Sequence, residues 1–225
     1  MTGSRTALLK TLGRGFADEG LLELALTHRS AGGRNNERLE FLGDALINAC
    51  VAEALYRRHG DLEEGDLSRL RANLVNQEAL AEVAREMDLG SYLVLGPGEL
   101  KTGGHRRASI LADALEALVG AVFLDAGFDA AQDVVLRMLE TRLAAPPPTE
   151  SLKDPKTRLQ EVLQARDLPL PVYAVESVRG EPHRQMFRVS CSVETLDVRT
   201  EGEAGSRRAA EQEAARHALE RIERG

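Results

Sequence analysis

The chain has 225 residues, of which 43% are hydrophobic, and 36 Asp and Glu residues outnumber 29 Lys and Arg residues, for a net charge of −7. This length and composition are typical of one or two globular domains and exclude a disordered chain. The sequence has no start that resembles a signal peptide and no apolar run long enough to span a bilayer, so we expect a cytoplasmic protein with no membrane partner. Cys50 and Cys191 lie far apart in apolar or strand-like sequence, which predicts two buried thiols and neither a disulfide nor a zinc site.

The charge is unevenly distributed along the chain. Net acidity taken alone argues mildly against a nucleic-acid partner. Residues 1–150 hold 16 Lys and Arg against 23 Asp and Glu, whereas residues 151–225 hold 13 of each. The acidity therefore belongs to the first part, and a basic face stays possible in the second.

Apolar residues at helical spacing predict six helices in the first part of the chain. They cover residues 7–12, 21–27, 36–59, 66–87, 108–125 and 130–143. Asp66 is the expected N-cap of the fourth helix. Residues 89–107 are rich in glycine and basic residues and predict a long connection.

Three successive prolines at 146–148 end the helical pattern and predict an extended spacer. We therefore predict a helical domain over residues 1–145, a proline-rich linker over 146–153 and a second domain over 154–225. In the second domain the pattern predicts a helix at 155–166, strands at 172–178, 185–193 and 196–202, and a helix at 207–222.

Three carboxylates share one side of the helix predicted at 36–59. At about 100° per residue, Glu37, Glu40 and Asp44 fall within an arc of about 60°, and leucines of the same segment lie opposite. The helix predicted at 108–125 repeats this arrangement with Asp113 and Glu116. A single i,i+3 acid pair is typical of a solvated helix face, but two pairs backed by leucines favour a shared acidic site.

Five carboxylates packed together would repel one another without a cation. Oxygen ligands with no His or Cys nearby favour a hard ion, so we expect Mg²⁺, for which Mn²⁺ can substitute, and not zinc. Mg²⁺ can make a water molecule nucleophilic and stabilise charge on a phosphoryl oxygen. The pattern predicts phosphodiester hydrolysis with no protein nucleophile and no organic cofactor. Gly120, on the acidic side, is a position where another backbone can approach closely.

Both halves of the chain resemble a known family. Residues 36–45 (Asn-Glu-Arg-Leu-Glu-Phe-Leu-Gly-Asp-Ala) resemble the signature of the bacterial ribonuclease III family, and residues 109–117 (Ser-Ile-Leu-Ala-Asp-Ala-Leu-Glu-Ala) resemble its second acidic helix. The tail resembles a double-stranded-RNA-binding domain. The resemblance implies an all-α endonuclease domain followed by a small α+β (α-β-β-β-α) domain that binds double-stranded RNA.

The resemblance also implies roles for individual acids. Glu40, Asp113 and Glu116 would coordinate the metal, and Asp44 and Glu116 would be the residues most directly tied to catalysis. Glu37 and Glu64 would assist at the metal or toward the RNA. For Glu64 a second explanation stays open, because an acid just before a helix interacts favourably with the helix dipole. The implied products carry a 5′ phosphate, a 3′ hydroxyl and short 3′ overhangs, and the implied substrates include ribosomal RNA precursors and other structured transcripts.

Phe41 lies beside the acidic stripe and not among the leucines. A core position is one possibility, since aromatic side chains fill cores readily. The family resemblance implies the alternative, in which Phe41 enters a pocket of the partner subunit in a homodimer. A twofold dimer would supply two acidic clusters, one for each strand of a duplex. His28 lacks the sequence context of a catalytic triad and is expected to be a structural or capping histidine.

Seven residues of the tail are candidates for RNA contact. Thr157, Gln160 and Gln164 form a polar stripe suited to a minor groove, and His183 lies in a loop between two strands. Ser206, Arg207 and Arg208 open the last helix, where a positive helix end and two guanidinium groups can meet phosphates. The family more often has lysines at these two arginines. Taken singly, each residue is equally well explained as solvated surface.

Two other functions compete with a Mg²⁺-dependent double-stranded-RNA endonuclease. One is a catalytically silent double-stranded-RNA-binding dimer that uses the nuclease fold as a scaffold. The acids present at every expected position disfavour it, because a scaffold has no need of packed like charges. The other is a helical hydrolase of small phosphate esters, which the presence of an RNA-binding tail disfavours.

Overall fold

The computed structural model describes residues 5–181 and 183–224, and the chain divides after Pro147 into two compact units. The first unit is helical. Its helices are α1 (Arg5–Leu12), α2 (Glu19–Ala25), α3 (Glu37–Arg58), α4 (Glu64–Val75), α5 (Gln77–Glu86), α6 (Pro97–Lys101), α7 (Ala108–Met138) and α8 (Glu140–Ala144). No helix among the described residues is long and apolar enough to cross a membrane.

The first unit is organised around the packing of α3 against α7. Leu39 and Leu46 of α3 are buried, as predicted, whereas Leu42 is only half-buried. On α7, Leu111 and Leu115 are fully buried. Burial of these leucines removes apolar surface from water, which stabilises the fold by about 25 cal/mol per Å². This stabilisation determines which faces of the two helices pack against each other.

The predicted helix at 66–87 is wrong as a single element. The backbone of Asn76 is extended, at φ −69° and ψ 160°, and its side chain accepts a hydrogen bond from Ala79 N at 3.0 Å as the N-cap of α5. Because a capping Asn favours the start of a new helix over continuation of the previous one, the leucine spacing at 66–87 extends over two helices. Asp66 is also not the N-cap of α4, which begins at Glu64. It lies in the first turn, 2.7 Å from the Arg69 guanidinium.

One further element differs from the expected pattern, since the predicted connection at 89–107 contains the short helix α6, which begins at Pro97. The predicted break between residues 125 and 130 is confirmed, because two helical segments of α7 meet at a kink at Gly127, whose backbone has φ 83° and ψ −176°. Only glycine adopts this backbone freely, so the helix bends at Gly127 and resumes without a loop.

The second unit contains α9 (Thr149–Leu152), α10 (Pro155–Gln164), β1 (Val172–Arg179), β2 (Met186–Val193), β3 (Val198–Ala204) and α11 (Arg207–Arg224). The strands form one antiparallel sheet in the order β1-β2-β3. Leu159 and Leu163 of α10 pack with Cys191 and with alanines of α11 in a single core. The predicted order of a helical domain and an α-β-β-β-α unit is confirmed, and both cysteines are buried and free.

Candidate active site

Three carboxylates meet where α3 packs against α7. Glu40, Asp113 and Glu116 each offer an oxygen atom, and these atoms lie within 4.8 Å of one another. We call these three residues the acidic cluster. All three are half-buried, which keeps their charges close together and partly out of water.

Two glycines bring the helices this close. A Cβ atom added to Gly43 would lie 1.8 Å from the Glu116 carbonyl oxygen, and one added to Gly120 would lie 2.4 Å from the Leu39 carbonyl oxygen. Any side chain at either position would force the two backbones apart. The close approach predicted for Gly120 is confirmed. Sequence reasoning missed Gly43, although a glycine in the middle of a helix is a recognisable signal of close packing.

Burial raises the pKa values of all three carboxyl groups of the acidic cluster, and neighbouring carboxylates raise those of Glu40 and Glu116 further. The pKa of Glu116 rises from 4.5 to about 8, first through burial and then through the charges of Asp44, Asp113 and Glu40. Burial and the neighbouring charge of Asp113 raise the pKa of Glu40, and burial raises that of Asp113. A cluster of oxygen donors whose ionisation is this unfavourable fits a hard divalent cation, which would neutralise the repulsion.

A cavity of about 270 Å³ opens beside the cluster, with acids and bases on its walls. We call it the acidic cavity. Its charged and polar lining comprises His28, Arg29, Asn36, Glu37, Glu40, Glu99, Arg107, Ser109 and Asp113. Arg107 donates to Glu99 at 3.1 Å, and Arg29 lies 3.5 Å from Glu37. Sequence reasoning missed both arginines, whose only signal was the basic character of the segments that precede the two acidic helices.

Glu37 and Asp44 lie outside the three-residue acidic cluster. Glu37 is exposed and lines the acidic cavity. Asp44 is exposed and accepts a hydrogen bond from Asn48 Nδ2 at 2.9 Å, and it is not one of the three clustered residues. Its charge nevertheless contributes to the raised pKa of Glu116.

Glu64 lies elsewhere in the first unit. As the first residue of α4 it accepts a hydrogen bond from Ser68 Oγ at 2.7 Å and lines a separate cavity of about 390 Å³ with Ala52, Tyr56 and Leu67. It does not line the acidic cavity. Within one chain, the fold does not bring Glu64 together with Glu40.

His28 is a capping residue, as predicted. Its Nδ1 accepts a hydrogen bond from Ser30 N at 3.2 Å at the start of a short 3-10 turn, and its ring is nearly buried. Ser30 Oγ in turn accepts from Gly96 N at 2.9 Å. These contacts hold the loop that carries Arg29 against the segment that leads into α6.

The second unit exposes the side chains predicted to contact RNA. Thr157, Gln160 and Gln164 share the exposed face of α10, opposite its buried leucines. Ser206 Oγ accepts from Ala209 N at 3.2 Å and caps α11. The remaining three candidates, all exposed, are His183, Arg207 and Arg208. Pro182, beside His183 in its loop, lies outside the described residues.

Comparisons with known proteins agree with both units. A Ribonuclease-III-like family profile matches residues 18–143, and a double-stranded RNA binding motif matches residues 155–222. Ribonuclease 3 of Vibrio cholerae is 53% identical over 225 residues, covering 100% of both chains, and that of Thiobacillus denitrificans is 59% identical over 217 residues, covering 96% of each. The chain belongs to the ribonuclease III family.

The ribonuclease III fold is also found in a solved relative. The nuclease domain of ribonuclease III from Campylobacter jejuni is 43% identical, with a TM-score of 0.61, and covers 63% of this chain and 100% of that one. Ribonuclease III enzymes are metal-dependent nucleases, and this chain is an endoribonuclease that cleaves double-stranded RNA. The catalytically silent RNA-binding dimer is not favoured.

Phe41 is 80% exposed in this ribonuclease III chain, so the core position considered for it is wrong. Tyr56, on the same helix, is 73% exposed and was missed by sequence reasoning. Large exposed aromatic side chains on one helix are typical of a surface that meets a partner.

Proposed function

We propose that the acidic cluster is the Mg²⁺ site of this double-stranded-RNA endonuclease, with Mn²⁺ as a possible substitute. The observation that carries the proposal is the approach of carboxylate oxygens of Glu40, Asp113 and Glu116 to within 4.8 Å. Three oxygen donors leave room for water and substrate phosphate, which is the usual way that proteins hold Mg²⁺. The chemistry that the cation supplies when bound is activation of water and stabilisation of charge on the phosphoryl group.

The residues around the cluster have separate tasks in this proposal. Glu116, whose pKa is raised to about 8, must lose its proton before it can act as a ligand. Asp44 acts with Glu116 in catalysis, because it stands close enough to shift the Glu116 pKa and yet keeps an exposed carboxylate. Glu37, exposed at the acidic cavity, assists at the metal or toward the RNA.

Glu64 is assigned a role toward the RNA or at a completed site. Because Glu64 does not line the acidic cavity of its own chain, we expect it to contact another part of the bound RNA or the active site of a second subunit. Its hydrogen bond with Ser68 keeps the carboxylate at the start of α4.

We also infer that the active enzyme is a homodimer. The described residues of one chain supply one acidic cluster, and cutting both strands of a duplex in one binding event requires two. Exposed Phe41 supports an interface on α3, where it would enter a pocket of the partner subunit. The Campylobacter jejuni nuclease-domain structure concerns a region involved in dimer formation of that protein. The expected products carry a 5′ phosphate, a 3′ hydroxyl and short 3′ overhangs.

The second unit would supply affinity for the duplex. Residues 154–225 form the proposed RNA-binding domain, joined by residues 146–153 to the catalytic domain of residues 1–145. Thr157, Gln160 and Gln164 suit a minor groove, His183 a second groove, and Ser206, Arg207 and Arg208 the intervening phosphates. Processing of ribosomal RNA precursors and messenger RNA in the cytoplasm is the role that family membership supports.

A cleavage assay with a long RNA duplex tests the proposal. We expect cleavage with Mg²⁺, loss of cleavage with excess chelator and recovery when Mg²⁺ is restored. A single-stranded RNA of the same sequence is the control and should stay intact. Cleavage of the duplex at the full rate in chelator would refute the metal assignment.

A further inference from the structure

Glu211 is a nearly buried acid of α11 that lies between Lys156 and Arg207. It is 8% exposed, and its two oxygens bind cations from different elements. Oε1 accepts from Arg207 Nε at 2.8 Å on α11, and Oε2 accepts from Lys156 Nζ on α10. A single carboxylate thus links the N-terminal turns of both helices.

A second acid supports the same connection. Asp154 Oδ1 accepts from the backbone N of Lys156 at 2.9 Å as the N-cap of α10, and its Oδ2 accepts from Gln212 Nε2 at 2.6 Å on α11. The Lys156 ammonium also lies 4.6 Å from the centre of the Tyr173 ring. Lys156 is therefore held from three sides, and it is a fixed anchor for Glu211.

Glu211 is charged at neutral pH. Hydrogen bonds and charge from Lys156 and then from Arg207 hold the pKa of its carboxyl below the usual range. Because Glu211 engages Arg207 through Nε, the two Nη groups at the end of the guanidinium can meet phosphate oxygens as a pair. The Arg207 side chain is 65% exposed, so RNA can reach it.

The two linked helices carry separate parts of the proposed RNA contact. Thr157 and Gln160 lie on α10, and Arg207 and Arg208 open α11. A duplex presents its minor groove and its phosphates at a fixed separation, so the two helix ends must keep a fixed separation as well. Glu211 contacts Lys156 on α10 and Arg207 on α11 and can therefore maintain this separation.

We propose that Glu211 is a positioning residue for duplex RNA: by holding Arg207 and Lys156, it aims the Arg207 guanidinium and fixes α10 beside it. This inference rests on the proposed contact of Arg207 with phosphate. The inference predicts a change in affinity opposite to the one that charge alone would cause. If only charge mattered, removing a negative charge near bound RNA should strengthen binding. Positioning predicts weaker binding instead.

Binding of the full-length protein to an RNA duplex longer than about 16 bp, measured in chelator to prevent cleavage, tests the inference. We expect Glu211→Gln to raise Kd by about three- to tenfold, since one charge-assisted contact is loosened. The dependence of log Kd on log salt should become shallower by up to about one unit. Unchanged or tighter binding would overturn the inference.

Glu220→Gln is the matched control. Glu220 is also on α11, and its replacement by Gln removes the same charge. Its carboxylate pairs with Arg216 at 2.7 Å and not with Arg207. Its replacement should leave Kd unchanged or slightly lower. An equal loss of affinity in both variants would also overturn the inference, because it would show that the effect is not specific to the Glu211 contacts.

Arg207→Ala separates this inference from the function on which it rests. If Arg207→Ala binds normally, the phosphate contact is wrong whatever Glu211 does. If Arg207→Ala weakens binding, Glu211→Gln should cost less affinity in that background than in the wild type, because only the contact with Lys156 is left to lose. An equally large loss in both backgrounds would overturn the proposal that Glu211 aims Arg207. Should Glu211→Gln fail to fold, Glu211→Asp keeps the charge but is too short to bridge both cations, and it should weaken binding in the same direction.

Discussion

Gly43 of α3 lies directly against the backbone of Glu116 on α7, and a Cβ atom at Gly43 would stand 1.8 Å from the Glu116 carbonyl oxygen. Gly43 directly precedes Asp44 and follows Glu40 by less than one turn of helix. The same contact therefore fixes the distance between the helices and the distance between the carboxylates that they carry. The acidic cluster depends on a residue that has no side chain.

Gly43→Ala should lower the free energy of unfolding by about 1–3 kcal/mol, because the added methyl group overlaps backbone that cannot move away cheaply. This loss should appear even though Ala favours a helix over Gly by about 1 kcal/mol. Urea unfolding in chelator measures it. Stabilisation of the variant by added Mg²⁺ should also be weaker than in the wild type, since the carboxylates are spread apart.

Gly98→Ala is the control for this substitution. Gly98 lies within α6, and among the described residues no atom outside its chain neighbours and the backbone of its own helix lies within 4 Å of an added Cβ. The variant should be as stable as the wild type or slightly more stable. If Gly43→Ala behaves in the same way as Gly98→Ala, the close helix contact does not determine the geometry of the site.

The acid pairs could be predicted from sequence because each lies within one helix, where spacing alone decides the face. A shared acidic site was expected from the two pairs, but the approach of their oxygen atoms to within 4.8 Å could not be predicted, because Glu40 and Asp113 are separated by many residues and meet through the packing at Gly43 and Gly120. Asn76 illustrates the local limit. Leucine spacing continues past it, but its side-chain amide caps a new helix, and that competition is not visible in the hydrophobic pattern.

The RNA-binding candidates on α10 and α11 were predictable for the same local reason, since alternate faces of a helix separate buried leucines from exposed polar residues. The bridge from Glu211 to Lys156 was not predictable, because it joins residues that are 55 positions apart in the sequence. Residues that set the spacing between elements, such as Gly43 and Glu211, are thus harder to predict than residues on one face of a helix, although Gly120 was predicted.

Glu116→Ala should reduce Mg²⁺-dependent cleavage of a long RNA duplex by at least about a hundredfold, because even indirect metal contacts are worth about 10–100-fold. Duplex binding should stay nearly intact, since the contacts proposed to supply affinity for the duplex lie in the second unit. Single-turnover cleavage and binding in chelator measure the two effects separately. Asp129→Ala, which removes an exposed acid from the same helix, should cleave normally. An ordinary cleavage rate for Glu116→Ala would show that the site assignment is wrong.

The pKa of Glu116 predicts how stability depends on pH when no metal is bound. The folded protein keeps a proton on Glu116 up to about pH 8, whereas the unfolded chain releases it near pH 4.5. The folded state therefore binds more protons in this interval, and the free energy of unfolding should fall as the pH rises from about 4.5 to about 8. Urea unfolding in chelator across this range measures the slope.

Glu116→Gln isolates the contribution of this carboxyl group, because Gln has a similar shape and does not titrate. The wild type should lose stability relative to Glu116→Gln as the pH rises, and Mg²⁺ should reverse that order above about pH 8, where the ionised carboxylate is ready to bind it. Parallel curves for the two proteins in chelator would contradict the raised pKa.

Phe41→Ala should weaken the homodimer. A twofold interface uses the same residue twice, and truncating even one buried Phe costs about 3 kcal/mol or more, so the dissociation constant should rise by at least about a hundredfold. Sedimentation velocity over a range of protein concentrations measures the change. Because Phe41 is 80% exposed in the single chain, the folded subunit should lose little stability, and this separates an interface role from a core role. Phe128 is also exposed but lies on α7, and Phe128→Ala should leave the dimer intact. A Phe41→Ala protein that stays dimeric at the dilutions tolerated by the wild type would remove Phe41 from the interface.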